Sequence, residues 1–317
     1  MSGENHIALS VVVTVVGGRE FLRRCLTRLA SQIEGKPIEV IVPYDSTAEN
    51  IQQLKHDFPQ VLFLNIGVIK TNARPGTQAA AHEIYDCRTA KGLKTARGKV
   101  LALLQDSGIP DPDWCEQVLQ AHRLPHGVIG GAVEHDGTGA LNWAVYFLDF
   151  GLYQLPLFEG PSGNLTDANV SYKREVLESV SGLWAERYKE VTVNRMLAKK
   201  GAVQWLRPQI VVRQDCGKLL FSQVAIERFC WGRLFGSLRA QEIRFVLRLF
   251  YAILSPAIPL LLIGRTARKV FGARRNRAKF LQSLPQFVAI ALFRSVGELV
   301  GCLTARESSC KLELPLA

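Results

Sequence analysis

The stretch Leu101–Trp114 (LALLQDSGIPDPDW) contains side chains that could do chemistry. An apolar run ends in Gln105-Asp106-Ser107, and a glycine and two prolines follow. This pattern predicts a buried strand that delivers an acidic and a hydroxyl side chain to the open end of a sheet. Ligands bind at that carboxyl edge in open α/β sheets. A single carboxylate between two neutral side chains is nevertheless a small ligand set for a metal ion.

The segments around this stretch predict strands that alternate with helices. Apolar, β-branched runs indicate strands at residues 8–16, 38–42, 61–68, 99–104 and 127–133. Apolar residues at helical spacing indicate helices at residues 20–32, 76–96, 113–122, 173–180 and 189–200. Two further short strands are expected on either side of Pro208, at residues 203–206 and 210–212. The alternation predicts an α/β fold with a mostly parallel sheet flanked by helices.

The charge of the chain is concentrated in its last hundred residues. The net charge is +11, and a hydrophobic content of 48% excludes a disordered chain. Residues 1–217 contain 23 Lys and Arg against 23 Asp and Glu, whereas residues 218–317 contain 16 against 5. We therefore predict a neutral ligand-binding domain at 1–217 and a basic helical region at 218–317.

The basic region also contains two apolar segments, near residues 249–264 and 281–303. A straight membrane span needs about 20 apolar residues, and prolines interrupt the first segment. Seven Lys and Arg lie between the segments, from Arg265 to Lys279, and such a loop is expected in the cytosol. A hairpin of short spans, helices in the membrane plane and a buried helical subdomain all fit, and Gly297 and Gly301 form a GxxxG pair.

Partners and compartment follow from the same features. An anionic membrane surface suits a basic, apolar region. Nucleic acid is not expected, because the basic residues alternate with long aliphatic runs. The seven cysteines form no CxxC pair, and the polar start MSGENH has no basic segment before an apolar core. We therefore expect a reducing compartment, no disulfide framework and no secretory signal.

Five segments, in order, resemble the family-2 glycosyltransferases. They are ALSVVVTVVGGREFLRRCLTRLASQ, IEVIVPYDST, AKGLKTARGKVLALLQDSGIPDPDW, GNLTDANVSYKREVLESVSGLW and KEVTVNRMLAKKG. The resemblance covers residues 8–245 and implies a Rossmann-like (GT-A) fold that moves a sugar from a nucleotide diphosphate to an acceptor hydroxyl, with inversion. A Rossmann dehydrogenase is disfavoured, since no GxGxxG turn follows the first strand.

Such a reaction needs positive charge at the leaving diphosphate and a base at the acceptor hydroxyl. The resemblance places Asp106 at the diphosphate and Ser107 where the usual metal-binding Asp stands. A divalent cation, Mg²⁺ or Mn²⁺, is accordingly expected at Asp106. The resemblance places Glu190 on the catalytic Asp and Lys189 on its acidic neighbour. A turn role for Asp106 and a helix N-terminal role for Glu190 are the structural alternatives.

The resemblance also implies residues for the donor nucleotide. Thr14 and Val15 fall where the first strand touches the base. Asp45 falls on the second acid of an Asp-Asp-Gly-Ser motif whose first acid is replaced by Tyr44, and a helix cap is its alternative. Three basic residues of the predicted helix at 76–96 are candidates for phosphate contact, with solvent-facing charge as the alternative: Arg88, Lys91 and Lys94.

On the acceptor side, the resemblance implies Asn169 and Trp184, although a buried Trp is equally compatible. The acceptor is expected to be a glycan or a lipid, such as one of the cell envelope. Trp231-Gly232-Arg233 matches a basic aromatic segment near the membrane, so we expect a membrane-associated enzyme with a cytoplasmic catalytic domain. A rival hypothesis is a degenerate relative that binds a glycan, lipid or protein without turnover, because the acids are replaced at Tyr44, Ser107 and Lys189.

Overall fold

The computed structural model describes residues 7–305, apart from six side chains, those of residues 49, 241, 242, 245, 249 and 252. The strands are β1 (Leu9–Thr14), β2 (Ile38–Tyr44), β3 (Leu62–Asn65), β4 (Val100–Gln105), β5 (Gly108–Pro110), β6 (Val128–Glu134), β7 (Gly160–Pro161), β8 (Asn169–Lys173) and β9 (Gln204–Gln214). The helices are α1 (Arg19–Ile33), α2 (Gln78–Thr95), α3 (Trp114–Ala121), α4 (Ala140–Asp149), α5 (Arg174–Glu178), α6 (Ser181–Trp184), α7 (Glu190–Lys199), α8 (Phe221–Glu242), α9 (Phe245–Leu254), α10 (Ile258–Ala273) and α11 (Arg277–Thr304). Two 3₁₀ segments lie at Ser46–Lys55 and Ser255–Ala257.

One sheet contains all nine strands, in the order β3-β2-β1-β4-β8-β6-β9-β5, with β7 also paired to β9. The first four are parallel, and Leu9 of β1 lies opposite Ile38 of β2 and Val100 of β4. Every residue of β1 is buried, because helices cover both faces of this part of the sheet. The predicted α/β fold class is therefore confirmed.

The other half of the sheet is less parallel than the sequence pattern predicts. β8 runs antiparallel to both β4 and β6, and β5 and β7 run antiparallel to β9. The two strands expected around Pro208 are one strand, whose register against β6 shifts between Gly131 and Ala132. A proline lacks the N–H that a regular ladder needs, so a bulge accommodates it without ending the strand.

Helices α8 and α11 pack along each other through four glycines. A Cβ atom added to any of them would overlap a carbonyl oxygen of the opposite helix: Gly232 and Gly236 of α8, and Gly297 and Gly301 of α11. The GxxxG pair seen in the sequence thus has a second GxxxG pair as its partner, and the two backbones approach closely. We call this contact the glycine lock.

The C-terminal helices are joined to the sheet domain. α11 also contacts α4, α9 and α10, and α8 contacts α2. The ring of Trp231 on α8 lies 5.1 Å, centroid to centroid, from the ring of His82 on α2. The segment Trp231-Gly232-Arg233 therefore connects the two parts of the chain, which corrects its interpretation as a membrane anchor.

Of the two apolar segments, only the second forms a continuous helix. Pro256 and Pro259 divide the first between α9, a 3₁₀ turn and α10. Among the described residues, α11 is the single helix that is long and apolar enough to cross a membrane by length and composition. About half of its most apolar window, 44%, is buried inside the protein.

Candidate active site

Asp106 holds the loop between β1 and α1. Its Oδ1 accepts hydrogen bonds from the backbone N–H groups of Val16 and Gly17, both at 2.9 Å, and its Oδ2 accepts from Gly17 at 3.0 Å and Gly18 at 2.9 Å. The side chain has no solvent exposure. Burial raises the pKa of Asp106 to about 6, while these N–H groups oppose the rise. The carboxylate form prevails at neutral pH and fixes the loop.

This geometry does not support the predicted metal role of Asp106, because both of its oxygens are engaged by backbone. The hydroxyl of Ser107, at the position of the usual metal-binding Asp, accepts a hydrogen bond from Nε2 of Gln214 at 2.8 Å. Within residues 7–305, no three His, Cys, Asp or Glu side chains are grouped so that they could hold a metal ion. The residues at this strand end therefore do not fit a divalent cation.

Asp45 and Arg88 form a buried ion pair beside the end of β1. Nη2 of Arg88 donates to Oδ1 of Asp45 and, at 2.9 Å, to the hydroxyl of Thr47. Nη1 of Arg88 donates to the carbonyl oxygen of Val15 at 2.8 Å. The hydroxyl of Thr14 bonds a threonine hydroxyl of α2 at 2.9 Å. Thr14, Val15 and Asp45, the residues predicted around the nucleoside, are thus brought together. Arg88, predicted to contact a phosphate, bonds Asp45 in this structure.

Lys91 and Lys94 are not brought to this edge of the sheet. They lie beyond Arg88 toward the C-terminus of α2, which leads to the amino end of β4. Lys94 pairs with the exposed carboxylate of Glu186 at 2.7 Å, and the hydrogen bond and charge of Lys94, followed by the charge of Lys91, lower the pKa of that carboxyl. Both lysines are exposed, so the structure supports the surface alternative for them.

Two carboxyl groups meet at the opposite side of the carboxyl edge. Glu190 begins α7, and the backbone N–H of Asp167 donates to its carboxylate. Tyr85 donates its hydroxyl to Oδ2 of Asp167 at 2.7 Å, and Nε2 of Gln105 lies 3.4 Å from Oδ1 of Asp167. Nδ2 of Asn194, one turn along α7, lies 3.4 Å from Oε1 of Glu190. Four elements of the fold therefore converge on one carboxyl pair.

The environment makes the two carboxyls unequal. Burial raises the pKa of both Asp167 and Glu190. The hydrogen bond from Tyr85 opposes this rise at Asp167, whereas the charge of Asp167 raises the pKa of Glu190 further. Asp167 is therefore the first to ionise, and Glu190 retains its proton to a higher pH. A carboxyl with a raised pKa is a stronger general base once it has lost that proton.

Sequence reasoning missed Asp167, Tyr85 and Asp86. Asp167 immediately precedes ANVSYKRE, and Tyr85 lies one helical turn before Arg88, so both were adjacent to residues already considered. Asp86 is 2% exposed, and its Oδ2 has no hydrogen-bond partner among the described residues. Burial raises the pKa of Asp86 to about 7. It adds a third carboxyl to this side of the site.

Asn169 and Trp184, the residues implied for the acceptor, lie in the protein interior. The side-chain amide of Asn169 donates to the carbonyl oxygens of Ala132 in β6 and Ile210 in β9. Its oxygen accepts from the indole N–H of Trp114 at 3.0 Å. Trp184 donates to the carbonyl oxygen of Leu177 at 2.9 Å and packs in the core. Their side chains hold strands and helices together, which corrects their placement in the acceptor site.

A cleft of about 690 Å³ opens beside Glu190 instead. Residues 161–165 form one wall, and α7 and residues 202–204 form the other. Its polar lining includes Asn164, Asn194, Arg195 and Gln204. Hydroxyl-rich molecules fit such a surface, because each of these side chains can donate or accept a hydrogen bond to a hydroxyl or pair with an acidic group.

Comparisons with known proteins identify the family and the fold of the chain. The glycosyl transferase family 2 model matches residues 10–181, more than half of the chain. The mannosyltransferase PcManGT from Pyrobaculum calidifontis, solved with GDP-Man and Mn²⁺, is 12% identical with a TM-score of 0.54, and the match covers 93% of this chain and 87% of that one. Staphylococcus aureus TarS (residues 1–349) matches at 12% identity and a TM-score of 0.46, over 94% of this chain and 90% of that one, and its UDP-GlcNAc complex at 13% and 0.48, over 92% and 90%. No curated protein sequence matches significantly. The chain has a GT-A fold and belongs to glycosyl transferase family 2, whose members transfer sugars from nucleotide sugars.

Proposed function

We propose that the protein transfers a sugar from a nucleotide-diphosphate sugar to an acceptor hydroxyl with inversion at the anomeric carbon. The observation that carries this proposal is the carboxyl pair of Glu190 and Asp167, which lies at the carboxyl edge of the sheet beside Gln105 and borders an open cleft. Ligands of such sheets bind at this edge.

The donor nucleoside lies across the ends of β1 and β2 in this proposal. Asp45 bonds the ribose or base, and the backbone around Thr14 and Val15 contacts the base. Arg88 is a positioning residue, because it neutralises Asp45 and ties it to the carbonyl oxygen of Val15. The carboxylate of Asp106 fixes the same loop by accepting hydrogen bonds from the N–H groups of Val16 and Gly18.

Glu190 is the general base. Its carboxylate takes the proton of the acceptor hydroxyl as that oxygen attacks the anomeric carbon from the face opposite the diphosphate. The bond from the anomeric carbon to the diphosphate oxygen breaks, and the diphosphate leaves with the electron pair. The new bond therefore has the inverted configuration. Asp167 raises the basicity of Glu190, and Asn194 orients its carboxylate.

The leaving diphosphate is bound without a metal ion in this mechanism, since the residues at the strand end do not fit one. The Ser107 hydroxyl accepts a hydrogen bond from Gln214, so its own proton is directed elsewhere and can be donated to a phosphate oxygen. Donor binding is therefore expected to persist in the presence of a chelator.

The acceptor occupies the cleft beside Glu190, whose polar lining suits a glycan or the glycan head of a lipid. We further propose that the basic helical region, residues 218–317, associates with a membrane and keeps the catalytic domain on the cytoplasmic side. The seven basic residues between Arg265 and Lys279 support that orientation, because the cytoplasmic leaflet carries the anionic lipids that attract them.

The test is to incubate the full chain with a panel of labelled nucleotide sugars and glycan acceptors, with and without a chelator. We expect transfer that Glu190→Gln lowers at least about a hundredfold while donor affinity stays within about twofold. Thr192→Ala, on the exposed face of the same helix, is the matched control. Transfer that is unchanged in Glu190→Gln would refute the assignment of the base.

The altered acids favour one second candidate, a glycosyltransferase-like protein that binds its ligand without turnover. Tyr44, Ser107 and Lys189 stand where the family pattern has acids. This candidate gains if donor or glycan binds in the panel while neither transfer nor hydrolysis occurs with any donor.

A further inference from the structure

We infer that the protein attaches to an anionic lipid bilayer in the plane of its surface, through α9 and the first turn of α10, and that α11 does not cross the bilayer. This inference is independent of sugar transfer, because it rests on the exposed face of the C-terminal helices and on what holds them together.

Exposed apolar side chains lie on α9 and on the first turn of α10. Val246, Phe250 and Ile253, at helical spacing, are 78%, 55% and 72% exposed. Leu260 and Leu261, at the start of α10, are 72% and 70% exposed. So many large apolar side chains with this exposure are typical of a protein or membrane contact. We call these five residues the apolar face.

The opposite side of α9 is fixed to the protein, so the apolar face points outward. The Arg248 guanidinium bonds the carbonyl oxygens of Cys302 and Leu303 at the end of α11. Just after α9, Ser295 of α11 donates its hydroxyl to the carbonyl oxygen of Ser255 at 2.6 Å. These contacts leave Val246, Phe250 and Ile253 largely exposed.

The charge around the apolar face selects an anionic surface. Residues 243–297 contain ten Lys and Arg and no Asp or Glu. Arg244 precedes the face in the chain, and Arg265 and Arg268 follow it, all three exposed. Basic side chains next to an exposed apolar helix face are the arrangement of helices that lie in a membrane interface. A second copy of this chain would bring like charges together, so it fits less well.

Two contacts argue against a span by α11. The glycine lock holds α11 against α8, so a span would carry α8 into the hydrocarbon as well. On α8, Arg228 makes two hydrogen bonds of 2.7 Å to Asp149 of α4, and Arg239 pairs with Glu298 of α11. These charges would enter the bilayer, where ionised side chains are costly. The residues of α11 that are buried are therefore packed against the protein's own helices.

The experiment measures flotation of the full chain with vesicles of phosphatidylcholine, with and without phosphatidylglycerol. We expect binding only to the anionic vesicles, with release by high salt and by alkaline carbonate. Ile253→Ser with Leu260→Ser should weaken this binding at least about tenfold, which corresponds to the loss of two apolar contacts. Val68→Ser with Phe158→Ser is the matched control, because those side chains are similarly exposed, at 76% and 77%, and lie in the sheet domain.

Three results would overturn the inference. One is retention in the bilayer after alkaline carbonate, which indicates a span. Another is equal binding of the double variant and its control. The third is a change of oligomeric state in Ile253→Ser with Leu260→Ser without lipid, which indicates a protein interface. Donor turnover is measured separately in detergent, so failure of the proposed enzymatic function leaves this test unaffected.

Discussion

Replacing Arg88 by Met separates the two roles that this residue could have. The guanidinium is buried, with 8% exposure, and it bonds Asp45, Thr47 and the carbonyl oxygen of Val15. Met has a similar length and no charge, so Arg88→Met leaves the Asp45 carboxylate buried without its partner. If Arg88 were a phosphate ligand instead, the same change would act mainly on donor binding.

The expected loss of stability follows from this count of partners. Removing one member of a buried ion pair costs about 3–5 kcal/mol. The unpaired carbonyl oxygen of Val15 adds about 1 kcal/mol or more. We therefore expect Arg88→Met to lower the free energy of unfolding by about 4–6 kcal/mol. The matched control is Arg97→Met, since Arg97 pairs with Glu39 at 2.8 Å but its side chain is 72% exposed. Solvent screening limits that pair to about 1 kcal/mol.

The measurement is urea denaturation of both variants, combined with a double-mutant cycle between Arg88→Met and Asp45→Asn. Because the two side chains are in direct contact, the cycle should give a coupling of at least about 2 kcal/mol. The reasoning is refuted if Arg88→Met costs no more than Arg97→Met. If Arg88→Met unfolds like the natural chain but has a much higher Kd for the donor, Arg88 is a phosphate ligand instead.

Three further predictions follow from the carboxyl groups and the helix packing. Asp167→Asn should move the acidic limb of the kcat/KM profile to lower pH, because removing its charge lowers the pKa of Glu190; an unmoved limb contradicts the pairing. Asp86 has a pKa raised from 3.8 to about 7, so ionisation opposes folding and stability falls as pH rises from about 4 through 7. Asp86→Asn should therefore be more stable than the natural chain at pH 8, by up to about 4 kcal/mol, and equal to it near pH 4, as measured by denaturation at both pH values. Gly297→Ala should lower the free energy of unfolding by about 1–3 kcal/mol or more, since its Cβ overlaps α8, whereas Gly264→Ala, with open space around it, should be neutral or stabilising.

The strands of the parallel half were predictable because burial on both faces leaves a continuous apolar run. β1, β2 and β4 lie within two residues of the predicted positions at both ends of each element. β8 was not predicted, because Asn169–Lys173 mixes polar and apolar residues. Its polar side chains are satisfied by contacts with distant strands, and no local pattern records those contacts.

For the candidate site, the sequence indicated single residues but not the contacts between them. Glu190 was found at the start of its helix, but Asp167 and Tyr85 join it through a fold that brings residues up to 105 positions apart together. Asp106 was found as a strand-end acid, yet its partners are backbone N–H groups, which every residue but proline has and which therefore leave no signal in a sequence. In the same way, one GxxxG pair was visible and the pair opposite it was not recognised.

The distribution of retained and replaced acids bears on turnover. The replaced acids lie at the nucleotide and diphosphate side, where Ser107 bonds Gln214 and Tyr44 is buried in the core. At the proposed acceptor side, Lys189 replaces one acid of the family pattern and Glu190 stands on another. Asp167 adds a carboxyl that the pattern did not identify, and burial raises the pKa of both Glu190 and Asp167. Two neighbouring buried carboxyls lower the stability of a fold. Inverting transfer needs a base, whereas a hydroxyl and fixed dipoles can support the leaving group. We therefore favour the proposed catalysis over ligand binding alone.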